Sequence, residues 1–183
     1  MLDSEARASV ALDGQTFAAG LPTAWIFDLD GTLFQTNRDA PYGGRDWYDY
    51  ARLLEDWPIP ATIDCALSLQ RSGQKLLFVT ARPHEARDLT IQQLRRHYLV
   101  NERDEIDLFM RPTSEHLDHD LKREIYVNLI KPRWQIQGVF EDNPDVVDMW
   151  VSCGLTVFQV KGPHNRDKPP AGTESMTDRI AAP

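Results

Sequence analysis

Cysteine is nearly missing from this chain of 183 residues, which holds only Cys65 and Cys153. Both sit in helical-looking stretches without metal-ligand spacing, so buried free thiols in a reducing compartment are expected, and no disulfide framework. No apolar run approaches the roughly 18 residues a membrane-crossing helix needs. The first residues also lack a basic segment followed by an apolar one. A cytoplasmic protein without membrane contact is the expectation. Positive charge is scarce as well: 20 Lys and Arg stand against 28 Asp and Glu, a formal net charge of -8. That balance argues against a general electrostatic grip on nucleic acid, although a local one stays open. Internal repeats are absent, and so is any GxxxxGK[ST] segment of the kind that cradles nucleotide phosphates.

What the chain does contain is ordinary globular material, 42% hydrophobic and 26% charged, enough for one domain with a sizeable core. Short apolar runs at 24–27, 75–79, 107–110, 138–140 and 156–160 read as strands. Amphipathic stretches alternate with them, which predicts a parallel, doubly wound α/β sheet with helices on both faces. The helical stripes are Ile63, Ala66, Leu67 and Gln70; Leu89, Ile91, Leu94 and Tyr98; Leu117, Leu121, Ile125 and Leu129; and Val146, Val147, Trp150 and Val151. Asn143 before Pro144 is a good helix start. Residues 34–60, with Pro41, Tyr42, Gly43, Gly44, Trp47, Tyr48 and Trp57, form the longest irregular-looking segment and are too short for a lid domain. Residues 1–20 and the Pro-rich 162–183 read as an extension and a tail around a domain at 21–161.

Three of the strands and one helix start carry chemistry. The first, Trp25-Ile26-Phe27, ends in Asp28-Leu29-Asp30-Gly31-Thr32. Two carboxylates are a costly way to finish a buried strand unless they are used. Alternation puts Asp28 and Asp30 on one face beyond the strand's carboxyl end, where open α/β sheets bind ligands. Close carboxylates favour a divalent cation, and hard oxygen donors select magnesium. The second runs into Thr80-Ala81-Arg82, where a hydroxyl and main-chain N–H groups can meet a phosphate. The third element, Asp118-His119-Asp120-Leu121-Lys122-Arg123, offers Lys122 beside the apolar stripe, with Arg123 as the alternative cation. The fourth, Phe140-Glu141-Asp142-Asn143-Pro144, adds Asp142 as a metal ligand and Glu141 as a supporting or water-mediated one.

The DxDGT sequence and the order of the other elements resemble the haloacid dehalogenase-like (HAD) phosphohydrolase superfamily. The resemblance implies a three-layer Rossmann-like fold, here without a large cap, and an Mg2+-dependent phosphatase. Asp28 is then the nucleophile, Asp30 the general acid and base, Thr80 and Lys122 the phosphate holders, and Asp28, Asp30, Asp142 and Glu141 the metal group. The stretch from Phe140 to Trp150, the Thr80-Ala81-Arg82 triplet, Met110-Arg111 and Pro41-Tyr42 are similar to the 3′-phosphatase domain of phage-type polynucleotide kinase/3′-phosphatases. That implies phosphorylated nucleic-acid ends as substrate, with Ala81, Arg82 and Arg111 near the phosphate or the strand. The chain departs from that pattern at Glu141, where a second Asp is usual, and at Asn143, where a basic residue is. Without the phosphate-cradling loop, 5′-kinase activity is not expected.

Two other readings are weighed against this one. The first is a phosphatase of free nucleotides or other small phosphomonoesters, with the segment around Trp47 and Tyr48 as a partial lid. The second is a noncatalytic binding module on the same fold. For Arg82 and Arg111 the alternative is membership of a structural ion pair. His116 and His119 lack a third ligand and read as solvated. The oligomeric state is not legible.

Overall fold

A computed structural model describes residues 20–36, 46, 48–101, 105–112 and 117–162. The two terminal segments, Pro41 to Gly44, Trp47 and His116 lie outside the described residues. The elements run β1 (Thr23–Phe27), β2 (Phe34–Gln35), β3 (Trp57–Pro58), α1 (Pro60–Arg71), β4 (Lys75–Pro83), α2 (Arg87–Arg96), β5 (Leu108–Arg111), α3 (Asp118–Ile125), β6 (Gln135–Glu141), α4 (Pro144–Ser152) and β7 (Val157–Gln159). Five strands form a parallel sheet in the order β5-β4-β1-β6-β7, while β2 and β3 pair separately and antiparallel. The expected α/β architecture and all five expected strands are present.

Strand alternation sorts the core into two layers. Ala24 and Ile26 of β1 join Leu77 and Val79 of β4 under α3 and α4, packed on Leu121, Ile125, Val146, Met149 and Trp150. Phe27, with Leu76 and Phe78, faces the other way onto Ile63 and Ala66 of α1 and Leu94 of α2. A row of rings crosses this second face, Phe27 to Phe140 at 4.5 Å and Phe140 to Phe158 at 5.0 Å between centroids. It leaves no room for a side chain at Gly138, where a Cβ would lie 2.6 Å from the Trp25 ring.

The chain leaves β1 for β4 and β5 on one side, then crosses over to β6 and β7 on the other. The connections therefore diverge beyond the carboxyl end of β1, which is where such sheets hold ligands. All four sequence elements end at this rim.

The helical stripes need correction at their ends. In the third, Leu121 and Ile125 are buried, but Leu117 and Leu129 are exposed. A spacing of four overshoots a turn by about 40° each time, so the stripe winds off the core. A wider π-helical turn over Tyr126–Ile130, closed by the Lys131 N–H donating to the Tyr126 carbonyl, then brings Tyr126 and Ile130 inside. Tyr98 lies beyond the end of α2, exposed and at positive φ, and the buried face of that helix holds Thr90 and Gln93 beside Leu94. In α4 Met149 takes the inward position expected for Val151, which is exposed. Both cysteines are free thiols, but Cys65 is exposed on the outer face of α1 and Cys153 only half-buried. The stretch at 34–60 is less irregular than its composition suggests, since it carries the β2–β3 hairpin, a 3-10 turn at Tyr50–Glu55 and the start of α1. No helix among the described residues is long and apolar enough to cross a membrane.

Candidate active site

The Asp28 N–H donates to the Phe140 carbonyl at 3.0 Å, extending the pairing of β1 with β6 one residue past the strand and fixing Asp28 at the rim. Gly31 then takes a left-handed φ of 89°, a conformation that costs glycine nothing. The turn closes as the N–H groups of Leu33 and Phe34 donate to the Leu29 carbonyl, each at 2.9 Å.

Lys122 enters from α3. It is 3% exposed, and its Nζ donates to Asp28 Oδ1 at 2.7 Å and to Glu141 Oε2 at 2.8 Å. Burial alone would lower the lysine pKa, but the two carboxylates outweigh it and raise the pKa above the ordinary range. The side chain is an ammonium at any working pH. Glu141 also accepts, through Oε1, the N–H groups of Asp142 and Asn143 at 3.2 Å each. Both of its oxygens are thus engaged within the protein. Arg123, the alternative cation, points away from the rim and donates to Ser152 Oγ.

Asp30 has a cation of its own. Arg82 Nε and Nη2 donate to its two carboxylate oxygens at 2.7 and 2.8 Å, a bidentate fork. Arg82 Nη1 donates to Thr90 Oγ1 at 3.2 Å and Gln93 Oε1 at 2.9 Å. The guanidinium is fully buried; desolvation opposes its charge, yet Asp30, with Asp56 and Asp28 further off, raises its pKa above the usual arginine value. Arg82 is therefore committed to Asp30 and α2. Of its two expected settings, the geometry has the ion pair.

Thr80 is buried within β4, which runs on to Pro83 past an irregularity that follows Val79; its hydroxyl oxygen accepts the Arg82 N–H at 3.2 Å and its proton can go to another oxygen. Ala81, half-buried, gives its carbonyl to Arg111 Nε at 2.9 Å, and Arg111 Nη2 also pairs with Asp118. Asn143 caps α4 by accepting the Asp145 N–H at 3.1 Å, with Pro144 at the first helical position. The departure at Asn143 thus has a local use. His119 lies 3.4 Å from Asp120, away from any metal-like group among the described residues.

Carboxylate oxygens of Asp28, Glu141 and Asp142, all buried, come within 4.8 Å of one another. Three hard, anionic oxygen donors in one buried place fit a divalent cation such as Mg2+. Because Glu141 spends both oxygens elsewhere, Asp28 and Asp142 are the better direct ligands. Thr90, Gln93 and Asp118 have contacts at the site to which sequence reasoning assigned no part. Asp118 carried a signal, lying one helical turn before Lys122 on the same face; Thr90 and Gln93 carried none.

Residues 22–164 match the family model for the polynucleotide kinase PNKP phosphatase domain. A protein of Autographa californica nuclear polyhedrosis virus, described as a bifunctional polynucleotide kinase/RNA ligase, is 30% identical over 144 residues, 76% of this chain and 19% of its own. Among solved structures, one chain of a Pnkp1/Rnl/Hen1 complex superposes with a TM-score of 0.68 at 27% identity, over 83% of this chain and 51% of that one. A chain from a Pnkp1/Rnl/Hen1 RNA repair complex gives 0.71 at 26%, over 85% and 47%. The class C acid phosphatase of Bacillus anthracis shares the fold, with a TM-score of 0.55 at 18% identity over 80% and 69%. The chain spans about half the length of the Pnkp1 chains and 19% of the viral protein.

Proposed function

The chain belongs to the family of polynucleotide kinase PNKP phosphatase domains, and is thus a HAD-type phosphatase; on that premise we propose that it removes 3′-phosphate from nucleic-acid ends. We take residues 21–161 as the phosphatase domain. The observation that carries the reading is the buried Lys122 ammonium joining Asp28 to Glu141, next to Asp142, at the strand ends.

The Asp28 carboxylate attacks phosphorus as the bond from phosphorus to the sugar 3′ oxygen breaks, and the Asp30 carboxyl gives that oxygen its proton. Asp30 then takes a proton from water, which attacks the aspartyl-phosphate at phosphorus and releases inorganic phosphate and Asp28. An ammonium has three N–H groups, and two are spent on Asp28 and Glu141, so the third is left for a phosphate oxygen. Thr80 donates to another, and the main-chain N–H of Ala81 completes the cradle. Arg82 orients Asp30 instead of meeting substrate; Arg111, half-buried at the rim, is retained as a contact for the strand. Mg2+ held by Asp28, Asp142 and the Asp30 carbonyl supplies charge neutralisation and alignment of the phosphate, with Glu141 in support.

The polymer specificity draws support from the bifunctional viral relative and from the RNA repair complexes that contain the solved relatives. The test offers the protein with Mg2+ a 3′-phosphorylated oligonucleotide and a 3′-mononucleotide. Faster release of phosphate from the oligonucleotide is expected, abolished by Asp28→Asn with the circular dichroism spectrum unchanged. A decisive preference for the mononucleotide overturns the polymer reading, and appreciable turnover by Asp28→Asn overturns the nucleophile.

A further inference from the structure

We propose that Gln93 is a positioning residue that ties the segment flanking the site mouth to Asp30 through Arg82, and so sets how well the leaving oxygen is protonated. The proposal rests on the reading of Asp30 as the acid. Gln93 lies on the inner face of α2, 1% exposed. Its Oε1 accepts from Arg82 Nη1, and its Nε2 donates to the Leu53 carbonyl at 2.9 Å. Leu53 belongs to the 3-10 turn just before β3; β3 pairs with β2, and Phe34 of β2 makes a bridge with Asp30 itself.

A continuous set of hydrogen bonds therefore runs from the Leu53 carbonyl through the Gln93 amide and the Arg82 guanidinium to the Asp30 carboxylate. An amide side chain offers the acceptor and the donor this relay needs on separate atoms of one planar group, without adding charge. Core packing does not explain it, since a buried polar group costs free energy that an apolar residue on the same helix face avoids. Gln93 and Thr90 together take both Nη1 hydrogens, which fixes the plane of the guanidinium and, by the bidentate fork, the plane of the carboxylate. A carboxylate oxygen has two lone-pair directions, so accepting from Arg82 does not by itself bar Asp30 from carrying the proton for the leaving oxygen.

The consequence is selective for the leaving group. A sugar alkoxide leaves badly without a proton, whereas 4-nitrophenolate leaves without one. With the full chain and Mg2+, Gln93→Leu is expected to lower kcat/KM on a 3′-phosphorylated oligonucleotide about tenfold or more, part of the ~100- to 10,000-fold that general acid catalysis supplies. KM for that substrate is expected to stay within about threefold, and so is kcat/KM on 4-nitrophenyl phosphate, which reports the steps up to transfer to Asp28, before water is activated, and whose leaving group needs no proton. Gln93→Glu keeps the acceptor for Arg82 and lacks the donor for Leu53, so it shows the same selectivity with a smaller loss and serves if the Leu variant does not fold. Gln92→Ala, exposed on the next position of α2, leaves both rates unchanged. Equal losses on both substrates, or a folded Gln93→Leu that keeps full oligonucleotide activity, overturn the proposal; a Gln93→Glu enzyme indistinguishable from wild type overturns the link to Leu53. If wild type cleaves 4-nitrophenyl phosphate but no oligonucleotide, the polymer reading alone has failed. Glycerol 2-phosphate then supplies the poor leaving group for the same comparison.

Discussion

Replacing Lys122 with Met retains most of the aliphatic stem and removes the ammonium that lies 2.7 Å from Asp28 and 2.8 Å from Glu141, all three groups being buried. Two carboxylates are then left facing each other in a dry setting. Removing one partner of a buried ion pair costs about 3–5 kcal/mol. The cost is not doubled for two pairs, because removing the one ammonium that serves both also ends the cost of burying it. At about 2–4 °C per kcal/mol for a chain of this size, Tm in EDTA falls by roughly 6–20 °C. Mg2+ binding at the same acids then stabilises the folded state by mass action, ~2.7 kcal/mol at a hundred times Kd. Because the variant site is one charge more negative, its Tm gain on Mg2+ addition exceeds that of wild type. Thermal melts followed by circular dichroism, in EDTA and in a Mg2+ series, read both quantities. A variant melting within about 2 °C of wild type in EDTA, where ~1 kcal/mol would already show, refutes the charge-balancing role. So does a Mg2+ shift no larger than that of wild type.

Two further outcomes concern the frame around the site. Gly138→Ala places a Cβ 2.6 Å from the Trp25 ring and 3.0 Å from that of Phe158, and overpacking of this kind costs about 1–3 kcal/mol; urea unfolding that shows no loss means the ring row yields without strain. His97 is held below its ordinary pKa by burial and then by Arg96, so the unfolded chain takes up that proton more readily. Its contribution to stability is lost as pH falls below about 6.5, and between about 7.5 and 5.5 the stability difference between His97→Gln and wild type should move in favour of the variant. A difference that stays constant means His97 titrates alike in both states.

The sheet was legible because its strands are short apolar runs with abrupt ends, and burial on both faces demands that composition. Strand ends at Asp28 and Glu141 were legible for the opposite reason, since charge directly after a buried run is unfavourable without a use; Thr80 was read as following its strand, but β4 runs on to Pro83. The choice of Lys122 over Arg123 came from helical phase, since Lys122 borders the buried arc of Leu121 and Ile125 while the next residue turns outward. The same reasoning misplaced α2. Counting apolar positions cannot see a helix face on which Thr90 and Gln93 are buried to serve an arginine from another strand. A wide turn at Tyr126–Ile130 is likewise invisible to a fixed period, so the exposure of Leu129 followed from geometry that spacing does not encode.

The two cations divide the labour between the two acids of the first element. Lys122 takes Asp28 and Arg82 takes Asp30, so on the proposed mechanism the attacking residue and the proton donor are each fixed by a separate buried contact. Asp28, Glu141 and Asp142 gather three buried carboxylates beside the one Lys122 ammonium, a setting that a divalent cation would stabilise. A phosphomonoester dianion would meet less repulsion from these acids with that cation in place, and on the proposed mechanism Lys122 and Thr80 then hold it. Metal and phosphate binding are on this account energetically coupled through the acids themselves. The buried ammonium, shared between the nucleophile and Glu141, keeps that coupling from being so strong that the metal-free fold would come apart.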